Sequence, residues 1–228
     1  MSEPTKLPPR PKAASLFMAV PIVFLGALGL AVAVLFGVTR FGDQTASGEQ
    51  VRIRFGASCI DDARPQLVAR AEQIGMPATM DGDTMTATLP DMPDAANLIP
   101  ELLTRQGKLS VVDPSGQPVF DNGHIDAVAI DLDEAGMPVT MLKLNAEARA
   151  ALKEMSGELA LQPEVDGEAF PKARVSTLQE TPELSLPSGT GKTSDRMKRA
   201  ADRAIILEHG PLPCRVHVTD VTVLGAAG

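Results

Sequence analysis

Few side chains in this sequence are of types that commonly do chemistry. There are two cysteines, Cys59 and Cys214, and three histidines, His124, His209 and His217. Two thiols are too few for a metal cage, and the imidazoles stand far apart without ligand spacing. In an oxidising compartment the simplest reading of the cysteines is a disulfide, with two unpaired buried thiols as the alternative. The string SGTGKT, residues 188–193, ends like a phosphate-cradling loop, but that loop needs a glycine five positions before Gly191, where Leu186 stands. AVAIDLDE resembles the acidic strand that accompanies such loops, with Asp131 in place, yet it precedes the string it should follow. Asp131, Asp133 and Gly136 suggest a calcium loop, but Ala135 replaces an oxygen ligand and Leu142 occupies the place of the bidentate glutamate. A turn between strands accounts for them better.

There is no Gly-x-Ser-x-Gly elbow, no His-Glu-x-x-His and no Cys-His pair of plausible spacing. Glu164 and Glu168 read as solvated acids. The expectation is therefore no enzyme: no catalytic residue, no cofactor and no metal ligand.

What the remaining sequence must position is set first by its apolar distribution. Residues 13–39, AASLFMAVPIVFLGALGLAVAVLFGVT, form a run of 27 without a charge. As a helix rising about 1.5 Å per residue it reaches roughly 40 Å, enough to cross a bilayer core of about 30 Å. Lys6, Arg10 and Lys12 precede it, whereas Arg40 stands alone behind it, followed by Asp43 and Glu49, so the N-terminus is expected in the cytoplasm. A cleavable signal peptide is the alternative, because Ala31-Val32-Ala33 has the small-x-small form, but its apolar core would be unusually long. Gly29, Ala33 and Gly37 fall four residues apart, a stripe along which another helix could pack closely.

Residues 1–40 carry Glu3 against Lys6, Arg10, Lys12 and Arg40, net +3, so the total of −8 leaves −11 on the rest. Such an acidic body disfavours nucleic acid and anionic lipid as partners. With no Trp, no Tyr and seven Phe, stacking platforms for bases or sugars are not expected either.

After a polar linker, VRIRFGA alternates Val51, Ile53 and Phe55 with Arg52 and Arg54, the pattern of a half-buried strand. Asp61 or Asp62 caps a helix carrying Leu67, Val68, Ala71 and Ile74, ended by Gly75. Two short strands surround Asp81-Gly82-Asp83, and Asp94 caps a helix carrying Ala95, Leu98, Ile99, Leu102 and Leu103 before the strand LSVVD. Strand, helix, strand, strand, helix, strand is the ferredoxin-like split βαβ order. Beyond the turns at 114–116 and 122–123, IDAVAID and PVTMLKL form a strand pair joined through residues 133–136. Asn145 then caps the helix AEARAALKEM. A hairpin at Asp166-Gly167, a Pro- and Ser-containing stretch to Ser188, a helix over 195–208 and the strand RVHVTDVTV complete a second α+β unit.

The tail ADRAIILEHGPLPCRVHVTDVTVLG resembles the segment closing the first periplasmic domain of SecD, a subunit of the bacterial protein-export machinery. Its landmarks here are Leu207, Gly210, Leu212, Pro213 and the strand over 215–223. ATLPDMPDAANLIPELLTRQGKLSVVD, HIDAVAID with Gly136 to Val139, and LALQPEVDGEAFPKARV resemble further family segments in the right order.

The resemblance implies an α+β fold with a cytoplasmic tail at 1–12, a transmembrane helix at 13–39 and a linker at 40–50. A ferredoxin-like periplasmic base follows over 51–115 with 205–228, and an inserted head over 116–204. In such a base Cys59 ends the first strand and Cys214 begins the last, so a disulfide would clamp neighbouring strands. Five further membrane helices follow this domain in the family, whereas this sequence stops at Gly228, and Val223-Leu224-Gly225 replaces the family's Gly-Pro. The expected role is a single-pass protein of the bacterial inner membrane that binds polypeptide or a partner without catalysis, as an accessory of export. Its partners would be an inner-membrane complex such as the Sec translocon, and unfolded exported chains. The alternative is a structural subunit docking onto another membrane complex.

Overall fold

The computed structural model describes residues 48–92 and 94–226. The run 13–39 and its stripe Gly29, Ala33 and Gly37 lie outside the described residues. Among the described residues no helix is long and apolar enough to cross a membrane.

Strand β1 (Glu49–Gly56) buries Val51, Ile53 and Phe55 and exposes Arg52 and Arg54, as its alternation requires. It lies inside a four-stranded antiparallel sheet of order β12-β1-β3-β2, with β2 (Ala78–Asp81), β3 (Thr84–Thr88) and β12 (His217–Ala226). Helices α1 (Ile60–Gln73) and α2 (Ala95–Thr104) supply Ala63, Leu67 and Ala71, and Ala95, Ile99 and Leu103, to the core they share with this sheet. Gly75, at φ 73°, ends α1 in a left-handed turn, where the Met76 amide donates to the Ala71 carbonyl at 3.0 Å.

Two expected caps differ. The N-cap of α1 is Cys59, and Asp61 and Asp62 fall in the first turn, where their charge favours the positive end of the helix. Asp94 does hold the N-cap position of α2, but at φ 62° its carboxylate accepts from the Asn97 side chain at 2.5 Å and not from a backbone amide.

The strand LSVVD, β4 (Leu109–Val112), does not complete the first sheet. A strand has two edges, and β3 and β12 occupy both edges of β1. β4 instead pairs with β5 (Pro118–Asp121) and β8 (Ala160–Val165), in a sheet of order β10-β8-β4-β5. β9 (Glu168–Ala169) and β10 (Ala173–Arg174) add two residues each to β8. A three-stranded sheet, β11-β7-β6, follows from β6 (Ile125–Leu132), β7 (Pro138–Leu144) and β11 (Glu183–Pro187). The stretch read as Pro- and Ser-containing thus holds β11 and a short helix, α4 (Val175–Glu180). Asn145 caps α3 (Ala146–Lys153) as expected, accepting from the Ala148 amide at 3.0 Å.

Helix α5 (Thr193–Glu208) belongs to both parts. Ile205 packs into the first core and Ile206, its neighbour, into a second core with Leu109, Leu142, Leu161 and Leu186. Thr140 of β7 donates to the Ala200 carbonyl of α5 at 3.1 Å.

Candidate functional site

The seam between the two cores is organised by a buried cation. Arg70, on the inner face of α1, is fully buried. Its guanidinium donates to Leu103, Arg105 and Gln106 carbonyls at 3.0, 2.5 and 3.3 Å, and to those of Ile206 and Gly210 at 3.3 and 2.9 Å. Two helix C-termini, of α2 and α5, therefore converge on one charge, where their unpaired carbonyls and dipoles favour a cation. Burial lowers the Arg70 pKa to about 10, with Asp166 opposing the shift, so the group stays charged at neutral pH. Asp166, at φ 53° in the turn after β8, accepts from the Gly107 and Lys108 amides at 3.1 and 2.8 Å.

Beside this seam a groove of about 480 Å³ opens between α2 and α5. From α5 it takes Met197, Ala201 and Ile205, spaced four apart so that they share one face; α2 contributes Leu98, Ile99 and Leu102, and Ile74, Pro90 and Met92 line it further. The charged lining is Glu101 and Arg105 on α2, and Lys198 and Asp202 on α5. Desolvation raises the Asp202 pKa, while Lys198 and Arg105 pull it back. Met92 and Met197 are unbranched thioethers that adapt to varied apolar shapes. The groove thus offers apolar contact and charge pairing, which is binding chemistry.

The sequence candidates lie outside the groove, and of them the two cysteines meet. Cys59 and Cys214 form a disulfide with Cα atoms 6.1 Å apart, joining the start of α1 to the turn before β12. His124 pairs with Asp121 at 2.9 Å, His209 caps α5, and His217 begins β12 beside Gly56. In SGTGKT the carbonyls of Ser188, Thr190 and Gly191 accept from Arg199 at 2.7 and 2.5 Å and from Arg196 at 3.1 Å, tying the loop to α5. Asp133 accepts from the Ala135 and Met137 amides at 2.9 and 2.8 Å, the turn expected between β6 and β7. Among the described residues no group of three or more His, Cys, Asp or Glu could hold a metal ion.

Sequence reasoning missed Arg70 and the groove. The signal for the groove was available in the spacing of Met197, Ala201 and Ile205. For Arg70 it was weaker: one base on a helix face otherwise carrying Leu67 and Ala71.

The architecture defines a two-part α+β domain: an antiparallel sheet backed by two helices, with a two-sheet unit inserted between α2 and β12. Solved structures share it. The chain is similar to SecDF in its super-membrane-facing form, with a TM-score of 0.61 at 16% identity, over 87% of this chain and 34% of that one. It is also similar to a structure described as a membrane component SecDF that enhances protein export, with a TM-score of 0.58 at 13% identity, over 77% of this chain and 100% of the other. The chain therefore has a SecD-like periplasmic fold and spans about a third of the length of the first of these proteins. By sequence it matches no protein-family model and no curated protein.

Proposed function

We propose that this chain is a single-pass inner-membrane protein, N-terminus in the cytoplasm, whose SecD-like domain assists protein export by holding polypeptide without covalent chemistry. The antiparallel order β12-β1-β3-β2, backed by α1 and α2, supports reading the first part as a ferredoxin-like base, with the head entered at β4 rather than at residue 116. The observation that carries the functional reading is the groove between α2 and α5, apolar along its length and bordered by charges of both signs. An extended or helical client segment would bury side chains there, and β6, an eight-residue strand at the edge of its sheet, offers main-chain groups for strand addition.

The test is a photo-cross-linker at Met197 in cells carrying an export-arrested chain. Adducts to the arrested chain, with translocon subunits in the same purification, support the reading. Adducts confined to an unrelated membrane assembly would reject it. For topology, a reporter active only outside the cytoplasm, fused after Gly228, should be active; an inactive reporter on a stable membrane protein would reverse the orientation.

A further inference from the structure

We propose that β6 is a docking edge for an extended, basic polypeptide segment, which adds to the sheet β11-β7-β6 as a fourth strand with lysine or arginine set against Asp126 and Asp131. The inference rests on the export reading above and names the kind of client segment the protein takes and the edge that takes it.

The free groups of this edge follow from the ladder. In antiparallel pairing, alternate residues of a strand bond one neighbour and the rest bond the other. The Leu144 amide donates to the Pro182 carbonyl at 2.9 Å, so even-numbered positions of β7 face the β11 side and odd-numbered ones face β6. Those odd positions, Val139, Met141 and Lys143, stand opposite Asp131, Ala129 and Ala127. Val128 and Ile130 therefore turn their amides and carbonyls away from β7, and among the described residues β6 is the last strand of its sheet. The next even position agrees: the Leu132 amide donates to the Asp131 carboxylate at 2.7 Å rather than into the ladder.

The edge lacks the usual protection. Outer strands are commonly kept short, bulged, or furnished with Lys or Pro. Here β2 and β5 have four residues each and β10 has two; β5 begins with Pro118, β11 ends with Pro187, and β12 pairs with two register shifts. β6 has eight residues, neither Lys nor Pro, and pairs without a shift from Ala127 to Leu132.

Its chemistry selects the occupant. Residues 125–137 carry four acids, Asp126, Asp131, Asp133 and Glu134, and no base. Lys143 meets Asp126 at 3.8 Å in an exposed pair, and among the described residues Asp131 makes no ion pair within 4 Å. A second copy of the chain would bring the same acids against this edge, whereas a basic segment is attracted to it. Val128 and Ile130 are half-buried on the face they share with Leu142 and Thr140, while Ala127, Ala129 and Asp131 are exposed. An added strand thus sets apolar side chains beside Val128 and Ile130 and basic ones beside Asp131, and the small Ala127 and Ala129 leave room for their long stems.

The test uses the full chain in detergent and a short, terminally blocked peptide alternating lysine and valine, read by fluorescence anisotropy and by amide hydrogen exchange. The peptide should bind and slow exchange at Val128 and Ile130. Its glutamate–valine counterpart should bind about tenfold more weakly, and Asp126→Asn with Asp131→Asn should weaken the lysine peptide about fivefold. The lysine peptide N-methylated at every second amide, so that one edge cannot donate, should not bind. Binding without slowed exchange at Val128 and Ile130, equal binding of the glutamate or the N-methylated peptide, or no binding at all overturns the proposal. Exchange that slows with protein concentration in the absence of peptide would assign the edge to a second copy and overturn it too. Peptide protection of β6, with Met197 adducts confined to an unrelated assembly, would reject the export reading and leave the edge standing; Met197 adducts to the arrested chain without protection of β6 would do the reverse.

Discussion

Arg70 donates to the carbonyl of Gly210 at 2.9 Å, across 140 positions of sequence. The contact joins the helix after β1 to the turn that leads into β12. Because the same guanidinium also caps α2, one side chain fixes both helices that wall the groove. Replacing it by methionine of similar length leaves carbonyls at two buried helix ends without a donor. The expected loss is about 3 kcal/mol in urea unfolding, of the size seen when buried polar groups lose a charged partner. A loss below about 0.5 kcal/mol, typical of surface substitutions, would mean that the seam is held by apolar packing alone.

Gly107 is required where α2 passes α5. At φ 70° an added Cβ would stand 2.4 Å from the Ile206 carbonyl oxygen. Gly107→Ala therefore incurs both left-handed backbone strain of about 1 kcal/mol and a backbone clash. Gly116, at φ 85° with nothing within 4 Å of its Cβ position, isolates the strain. Thermal unfolding should rank Gly107→Ala well below Gly116→Ala, and similar midpoints would show that the seam gives way freely.

The Cys59–Cys214 disulfide closes a separation of 155 residues. In the chain-entropy account such a loop contributes at most about 5 kcal/mol. Non-reducing mass spectrometry of the purified protein should find no free thiol. The double variant Cys59→Ala with Cys214→Ala should unfold at lower denaturant yet keep its fold, since Gln106 still donates to the residue-214 carbonyl, at 2.7 Å in the native protein, and the Leu212 amide to Gln106 at 2.9 Å.

His209 caps α5, and its Nε2 is buried without a partner among the described residues. Desolvation lowers its pKa from the ordinary 6.5, Glu208 opposes this, and the nearby Arg70 charge adds to it. A depressed folded pKa means that the unfolded chain binds the proton first, so stability is full above pH 6.5 and falls as the pH drops towards the folded pKa. His209→Gln should flatten the fall in stability below pH 6.5. Asp202, with its pKa raised above 3.8 by desolvation, works in the opposite sense: it adds stability as the pH falls through its folded pKa, so Asp202→Asn should remove that gain at the acid end of the profile. An unchanged profile in both variants would place the pH dependence elsewhere.

Lys192 belongs to a loop whose carbonyls are tied to Arg196 and Arg199. Lys192→Ala should leave the melting temperature unaltered with or without Mg-ATP. A nucleotide-dependent rise that this substitution abolishes would restore the phosphate-loop reading.

Local order was legible wherever periodicity or a cap sufficed. The alternation of Val51, Ile53 and Phe55 with two arginines gave β1 its buried face, Asn145 marked the start of α3, and the apolar face of residues 195–208 announced α5. These depend on neighbours within a few positions, which sequence displays directly. For Cys59 and Cys214 the sequence left a disulfide and two unpaired thiols open, and the structure joins them. Pairing partners were not readable. Leu109–Val112 carries the same β signal whether it extends the first sheet or begins the second; only the occupation of both edges of β1, one by β12 from the far end of the chain, excluded the first choice. Arg70 reads as an ordinary helix residue until two helix ends 33 and 136 positions away turn their carbonyls towards it. The groove likewise exists only because α2 and α5, separate in sequence, converge on that charge. Short-range patterns determined the elements, and long-range hydrogen bonds and packing decided where they meet.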